Sequence, residues 1–385
     1  MIFFELNPKD ISDLNDNDLR ELVARLCEAE LNQCGSDNSC VYWGGAQEAP
    51  DGGLDIRIKN SPYICKSGFI PKKDTGFQIK KHSMSKAACS KEMRDQNNIK
   101  PIIVELASKN GAYIIVSGKD DCSDKMYNER IEGMKSVLDN SIHKDHIKLD
   151  FYGRDRISAW LRKYPGVSLW ARSKLAKVLS GWQPFCRWTT PSSQDDEFLI
   201  DDHPCIQDLN SKDKTYFPLL EGIELVRNKL REEGSIVRIT GLSGVGKTRF
   251  AQALFEDNIG DNVLPKTNVI YADLGEDLKP SANELIEYLK ANDFPVYVIL
   301  DNCNPNVHRQ LQKKISTSNT KLRLLTIEYD ISDDTPEETK VIHIEPASVK
   351  NTSKLIQKRF PKLERVNADT ISVFAGGNAR IAIAL

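Results

Sequence analysis

Gly241-Leu-Ser-Gly-Val-Gly-Lys-Thr248 decides how this chain is read. It has the form GxxxxGK[ST], a loop whose backbone N–H groups turn inward around phosphate oxygens. The glycines permit so tight a path. Ser235-Ile-Val-Arg-Ile-Thr240 ahead of it reads as a buried strand, and Arg249-Phe-Ala-Gln-Ala-Leu-Phe255 behind it as the helix that should open there. That helix start adds partial positive charge. In such a loop Gly241, Ser243, Gly244, Val245, Gly246 and Arg249 surround the phosphates, Lys247 reaches the β and γ groups, and the Thr248 hydroxyl holds Mg²⁺. The ligand expected here is ATP with Mg²⁺.

Downstream, strands and helices alternate. Thr267–Asp273 is a strand, Ser281–Ala291 a helix capped by Ser281, and Pro295–Asp301 an apolar run ending in an acid. A helix near Val307–Ile315 and the strands Leu322–Ile327 and Val341–Ile344 follow. Strands that are apolar on both sides belong in a parallel sheet covered by helices. Asp301 then stands at the carboxyl edge, where ligands bind in open α/β sheets, and is placed to hold a Mg²⁺-bound water. Thr326 and Glu328 end the next strand, where a phosphate-sensing group is expected. Asn302 stands where a fast ATPase often has a second acid, which favours slow hydrolysis and a switch. After Pro346 the chain turns helical, and Gly376-Gly-Asn-Ala-Arg380 opens a last helix that runs to Leu385. This region reads as the start of a helical lid, and the chain as part of a longer protein.

Upstream, Asp18–Leu31 reads as a helix with Leu19, Leu22, Val23 and Leu26 on one stripe, capped by Asp16 or Asn17. Trp43-Gly-Gly reads as a turn. Asp51-Gly-Gly-Leu-Asp55-Ile-Arg-Ile58 reads as a tight turn followed by a strand with Asp55 on its polar side. In Phe77-Gln-Ile-Lys80, Gln78 and Lys80 share one side. If the two strands are neighbours, Asp55, Gln78 and Lys80 form one polar patch. A carboxylate there can bind Mg²⁺, and a lysine beside it can orient a metal-bound water and steady charge on a phosphorane. From Arg57 to Lys100 eleven Lys and Arg stand against three Asp and Glu, a local surplus of eight positive charges in a chain whose net charge is −2. Such a field suits phosphate contacts, although a solvated lysine-rich hairpin gives the same composition.

The chain has 385 residues, enough for two or three domains, with 40% hydrophobic and 28% charged residues. The overall charge selects no partner. No apolar run reaches the roughly 18 residues of a membrane span, and Met1-Ile-Phe-Phe-Glu-Leu lacks a basic start, so neither a membrane partner nor a signal peptide is expected. Nine cysteines without a CxxC pair suggest a reduced, cytoplasmic protein. Cys34 and Cys40 with His143 and His146 lack zinc-finger spacing. Trp170, Trp182 and Trp188, in a stretch punctuated by Pro184, Pro191 and Pro204, are expected to pack a linker rather than stack bases.

Asp-Gly-Gly-Leu-Asp followed by Gln-Ile-Lys resembles the PD-(D/E)xK restriction-endonuclease-like fold, most of all its Mrr-type branch, in which Gln replaces an acid. The resemblance implies a further acid on the first helix, best matched by Glu21 and next by Glu28. The strands Ala112–Ser117 and Ile147–Tyr152 and the helices Asp124–Leu138 and Arg154–Lys163 suit that fold. The expected fold class is therefore α/β throughout: a nuclease-like domain over 1–165, a linker over 166–205, a P-loop NTPase core over 206–346, and the start of a lid over 347–385. The lid resembles that of STAND NTPases, though Asn378 precedes Ala379 where that family has Pro. Nuclease and STAND core together resemble the antiviral STAND (Avs) family. That resemblance implies a homo-oligomer, a tetramer, that assembles on ATP when a phage protein meets a sensor region absent here, and then cuts double-stranded DNA. Its implied nuclease residues are Glu21, Asp55, Gln78 and Lys80, with Mg²⁺ on Asp55 and Glu21. In the nucleotide site Mg²⁺ lies at Thr248 and Asp301.

Two other classes stay open at this stage. One is a non-catalytic switch whose nuclease-like domain only docks DNA or a partner, an option that Gln78 keeps alive. The other is a motor that translocates on DNA, which requires fast, DNA-stimulated ATP turnover.

Overall fold

The computed structural model describes residues 3–36, 38–44, 54–188, 198–213, 215–328 and 339–385. Gly45, the turn Asp51-Gly52-Gly53 and Pro191 lie outside the described residues. The chain divides into two compact units, Met1–Val178 and Leu179–Leu385.

The first unit opens with α1 (Pro8–Asp13) and α2 (Asp16–Gln33). Asn15, one residue earlier than expected, caps α2 by accepting from Asp18 N. Leu19, Leu22, Val23 and Leu26 are all fully buried, each a contribution of about 1.5–3 kcal/mol. The strands β1 (Val41–Trp43), β2 (Ile56–Ile58) and β3 (Thr75–Lys80) follow. After them come α3 (Lys86–Glu92), the small hairpin β4 (Arg94–Asp95) and β5 (Asn98–Ile99), α4 (Pro101–Ser108), β6 (Ala112–Ser117), α5 (Asp124–Ser136), β7 (Lys148–Tyr152), α6 (Arg154–Leu161) and α7 (Pro165–Lys174). The sheet order is β1-β2-β3-β6-β7, antiparallel through β3 and parallel beyond it. Tyr113, Ile115 and Phe151 on one side of the sheet pack with Cys89, Met93, Ile103 and Met134. On the other side Phe77 and Tyr152 pack with Phe69 and Trp160.

In the second unit, β8 (Trp182–Pro184), α8 (Phe185–Trp188), β9 (Ile206–Asp208), β10 (Tyr216–Phe217) and α9 (Leu219–Arg231) precede the phosphate-loop strand β11 (Ile236–Thr240). Then come α10 (Lys247–Ala253), β12 (Val269–Asp273), α11 (Ala282–Ala291), β13 (Tyr297–Asp301), α12 (Pro305–Ser316), β14 (Arg323–Ile327) and β15 (Lys340–Ile344). The helices α13 (Val349–Arg359), α14 (Arg365–Phe374) and α15 (Ala379–Ala384) close the chain. The sheet order is β10-β9-β15-β11-β14-β13-β12-β8. Its five middle strands are parallel and its outer strands antiparallel. The chain is thus a mixed α/β protein with a parallel sheet around β11.

Two expectations need correction. The stretch 166–205 is not a separate linker: the division between the units falls inside it, at Val178 and Leu179, while its tryptophans pack as expected. Pro165 starts α7, where its missing N–H costs nothing, and Trp170 is buried under Arg25, whose guanidinium lies 4.8 Å from the ring. Trp182 is buried on an edge strand of the second sheet, and Trp188 stacks on Tyr271 at 4.3 Å. The cysteines are not all reduced, because Cys34 and Cys65 form a disulfide with Cα atoms 5.6 Å apart. The loop after β2 returns over the end of α2, where the buried Glu30 carboxylate accepts from Phe69 N at 3.0 Å and Ile70 N at 2.8 Å. Cys34, one of the four residues weighed against zinc-finger spacing, is thus in a disulfide. Among the described residues no three His, Cys, Asp or Glu are grouped to hold a metal ion.

Candidate functional sites

In the second unit β11 ends at the loop and α10 opens at Lys247, with Gly246 as its cap at φ +100°. Only glycine holds that backbone without strain. Gly244, at φ +85°, has a second reason to be glycine: a Cβ there would lie 2.4 Å from Arg380 Cβ. The Lys247 ammonium folds back and donates to Gly241 O and Leu242 O, both at 2.8 Å. Burial holds its pKa below the ordinary lysine value, against the pull of Asp301. Thr248 Oγ1 donates to Asp301 Oδ2 at 2.7 Å, and the Tyr271 hydroxyl to the same oxygen at 3.3 Å. Burial, then the Asp301 charge, push the Tyr271 phenol above its usual pKa. Asn302 N donates to Asp301 Oδ1 at 2.9 Å, and Asn302 Nδ2 to Asp273 Oδ1 at 2.8 Å. Asn302 sits at φ +51°, a left-handed backbone that Asn tolerates better than most residues.

The lid start is built onto the loop. Asn378 Nδ2 donates to Ser243 O at 2.8 Å, and Arg380 N to Gly244 O at 3.3 Å. Arg380 Nη1 lies 3.2 Å from Ser243 Oγ. Asn378 Oδ1 also caps α15, accepting from Arg380 N and Ile381 N. Beside the loop opens a cavity of about 410 Å³, lined by Val245, Gly246 and Arg249 from the loop side. Phe198, Leu219, Leu355 and Ile383 complete its apolar wall. Its size suits a small organic ligand.

The expected nucleotide residues are therefore gathered, with exceptions. Arg249 pairs with Glu256 at 2.6 and 2.8 Å and lies over the Phe198 ring, so it lines the cavity wall. Thr326 is no phosphate sensor in this arrangement. Its hydroxyl bonds His308 Nδ1 at 2.8 Å, and His308 Nε2 bonds Thr339 Oγ1 at 3.0 Å. Glu328 is fully buried and paired with Arg238 of β11. Sequence reading missed Tyr271, Asp273, Asn378's bond to the loop, Arg380's contact with Ser243 and the cavity. All join positions far apart in the chain. The only local signal was the polar Asn-Ala-Arg after two glycines.

In the first unit β2 and β3 are neighbours, and their register places Asp55, Gln78 and Lys80 on one side of the sheet. Asp55 Oδ2 accepts from Gln78 Nε2 at 2.8 Å and from Ile79 N at 2.6 Å. Arg20 Nε stands 2.9 Å from Asp55 Oδ1, an ion pair without an aligned hydrogen bond, and Arg20 Nη2 stands 2.8 Å from Asp16 Oδ2. Burial raises the Asp55 pKa, while the Ile79 N–H, Arg20 and Lys80 oppose it. Lys80 Nζ is 3.0 Å from Glu92 Oε2, and Lys100 Nζ is 2.8 Å from Glu92 Oε1. Burial pushes Glu92 up, but the two lysines outweigh it and leave the carboxyl below its usual pKa. Gln78 Oε1 and the Tyr113 hydroxyl are buried with no hydrogen-bond partner among the described residues.

The acids expected on α2 are elsewhere. Glu21 Oε1 accepts from Arg25 at 2.8 and 2.9 Å, and Glu28 accepts from Trp43 Nε1 at 3.1 Å. On a helix of 3.6 residues per turn, Asp16 and Arg20 share one face and Glu21 points about 100° away from Arg20. The face toward Asp55 therefore carries a cation. As arranged, the site does not fit Mg²⁺: Asp55 Oδ2 accepts from two protein donors, the Arg20 cation stands at Oδ1, and among the described residues no three His, Cys, Asp or Glu group there to hold a metal ion. The nucleotide site does fit, with a hydroxyl and a carboxylate oxygen side by side at Thr248 and Asp301.

No protein-family model matches this chain, and no curated protein matches it. Solved structures show distant likenesses. One is a signal-transduction ATPase with numerous domains (STAND) and a tetratricopeptide repeat sensor from Pyrococcus horikoshii, with 11% identity, TM-score 0.31, and 43% of this chain on 28% of that one. A second is a chain of the HORMA:CdnC:Trip13 complex of E. coli MS115-1, with 12% identity, TM-score 0.27, and 40% of this chain on 62% of that one. A third is PCH-2 from C. elegans, with 13% identity, TM-score 0.28, and 42% of this chain on 59% of that one. The matched parts are less than two thirds of each of those chains.

Proposed function

We propose that the second unit is a Mg²⁺-dependent ATP switch. The observation that carries this reading is the Thr248–Asp301 contact at the opening of α10, with a cavity of nucleoside size beside the loop. Loop N–H groups and the start of α10 would bind the phosphates. Lys247 would leave Gly241 O and Leu242 O for the β and γ groups. Thr248 and Asp301 would hold Mg²⁺, which when bound screens phosphate charge. The base and ribose would fill the cavity between Phe198, Leu355 and Ile383. Arg380, 3.2 Å from Ser243 Oγ, is placed to exchange that partner for a phosphate oxygen and so couple the lid to the triphosphate. Asn302 in place of a second acid supports slow hydrolysis. ATP binding to the full chain, compared with Lys247→Ala, tests this reading.

For the first unit we infer a phosphodiesterase acting on double-stranded DNA. Support comes from Asp55, Gln78 and Lys80 meeting on one side of the sheet. The resemblance to antiviral STAND proteins extends this to a cytoplasmic defence protein triggered by a phage protein and working as an ATP-assembled homo-oligomer, a tetramer. Among the described residues no helix is long and apolar enough to cross a membrane. The engagement of Asp55 by Arg20 and of Lys80 by Glu92 favours the second reading, a docking unit without cleavage. Plasmid incubated with activated protein, ATP and Mg²⁺ separates the two. Cleavage that Lys80→Ala abolishes supports the nuclease. Intact plasmid throughout, with DNA still bound, supports docking.

A further inference from the structure

We infer that Arg20 is a built-in counter-ion that occupies the cation position of Asp55, so that a divalent ion binds there only by displacing the guanidinium. The inference rests on reading Asp55 as a cation ligand. Asp55 uses Oδ2 for Gln78 Nε2 and Ile79 N, which leaves Oδ1 as its outward oxygen. Arg20 Nε stands 2.9 Å from that oxygen. The two positive groups, guanidinium and metal, cannot share it at that distance without strong repulsion.

Three features make the guanidinium displaceable rather than a fixed structural strut. The contact lacks an aligned N–H···O, so charge alone holds it. The Arg20 side chain is 28% exposed although the contacting Nε is itself buried, so part of the side chain already borders the solvent it would move into. And Asp16, one turn earlier on α2, already holds Arg20 Nη2 at 2.8 Å, so the guanidinium keeps a carboxylate partner when it leaves Asp55. The same logic extends across the patch. Lys80 is paired with Glu92, whose other oxygen takes Lys100. Each charge that a phosphodiester and a cation would use is thus matched by one from the chain.

The test is Mn²⁺ binding to nucleotide-free full-length protein, read from the EPR signal of free Mn²⁺. Wild type is compared with Arg20→Ala, with Arg20→Gln, which keeps more of the stem's packing, and with Arg20→Ala/Asp55→Asn. The expected result is about tenfold tighter binding at one site in both Arg20 variants, the size expected for removing one unit charge at ion-pair distance in water. That gain should vanish in the double variant. Mn²⁺ affinity in folded Arg20→Gln equal to wild type overturns the inference, as does a gain that persists without the Asp55 carboxylate. DNA cleavage assayed on the same proteins reports separately on the nuclease reading. Tighter Mn²⁺ binding with no cleavage by any variant leaves the inference standing and removes the nuclease.

Discussion

Thr248 and Asp301, 53 positions apart in sequence, meet at 2.7 Å, hydroxyl to carboxylate. The contact joins the first turn of α10 to the carboxyl end of β13, two strands away from β11. It sets two oxygen donors side by side where the phosphate loop ends.

Gly244→Ala should damage both fold and site. The residue would have to hold φ +85° with its Cβ 2.4 Å from Arg380 Cβ. Strain of that kind costs on the order of 1–3 kcal/mol. The relief available is movement of α15 off the loop. Urea unfolding of the variant should show the second unit weakened, and ATP affinity should fall with it.

His308 makes the second unit acid-sensitive. Burial, then the Arg238 charge, lower its pKa from 6.5 to about 4, and it sits neutral between Thr326 and Thr339. The unfolded chain therefore binds a proton between those values that the folded chain refuses, so stability falls as pH drops through that window. From pH 7 to pH 5 the loss should be on the order of 2 kcal/mol. Melting curves of wild type and His308→Gln at the two pH values check this: the variant's shift should be the smaller one.

The Cys34–Cys65 disulfide closes a loop of sequence separation 31 in the first unit. Cys34→Ser should lower that unit's stability by about 3 kcal/mol, chiefly by freeing the unfolded chain. Thermal unfolding with and without a thiol reductant tests it. Reductant should lower the wild-type transition toward the variant's and leave the variant's unchanged.

The legible parts of this chain were local. Gly241–Thr248, its strand and its helix lie in one stretch, and an acid ending an apolar run marked Asp301. The two-residue period of strands put Gln78 and Lys80 on one side, and the register of β2 against β3 added Asp55. The illegible parts were set by tertiary contact. The acid expected from α2 was Glu21, but the helix's rotation against the sheet presents Arg20. Glu92 looked like one charge in a basic run, yet it pairs with both Lys80 and Lys100. Trp182-Gln-Pro184 is too short to announce a strand, and becomes one only because Val269–Asp273 offers an edge. The cavity is walled by Phe198 and by lid residues more than a hundred positions beyond the loop, which no local pattern connects.

The central claim is that Thr248 and Asp301 hold Mg²⁺ for a bound triphosphate. Calorimetric titration of ATP into the full chain, in Mg²⁺ and in EDTA, with wild type, Thr248→Ala and Lys247→Ala, tests it most directly. The account predicts binding by wild type in Mg²⁺ that weakens about tenfold or more in Thr248→Ala, a gap that closes in EDTA, and binding lost in Lys247→Ala under both conditions. Equal affinities for wild type and Thr248→Ala in Mg²⁺, or no binding by wild type at all, would contradict it.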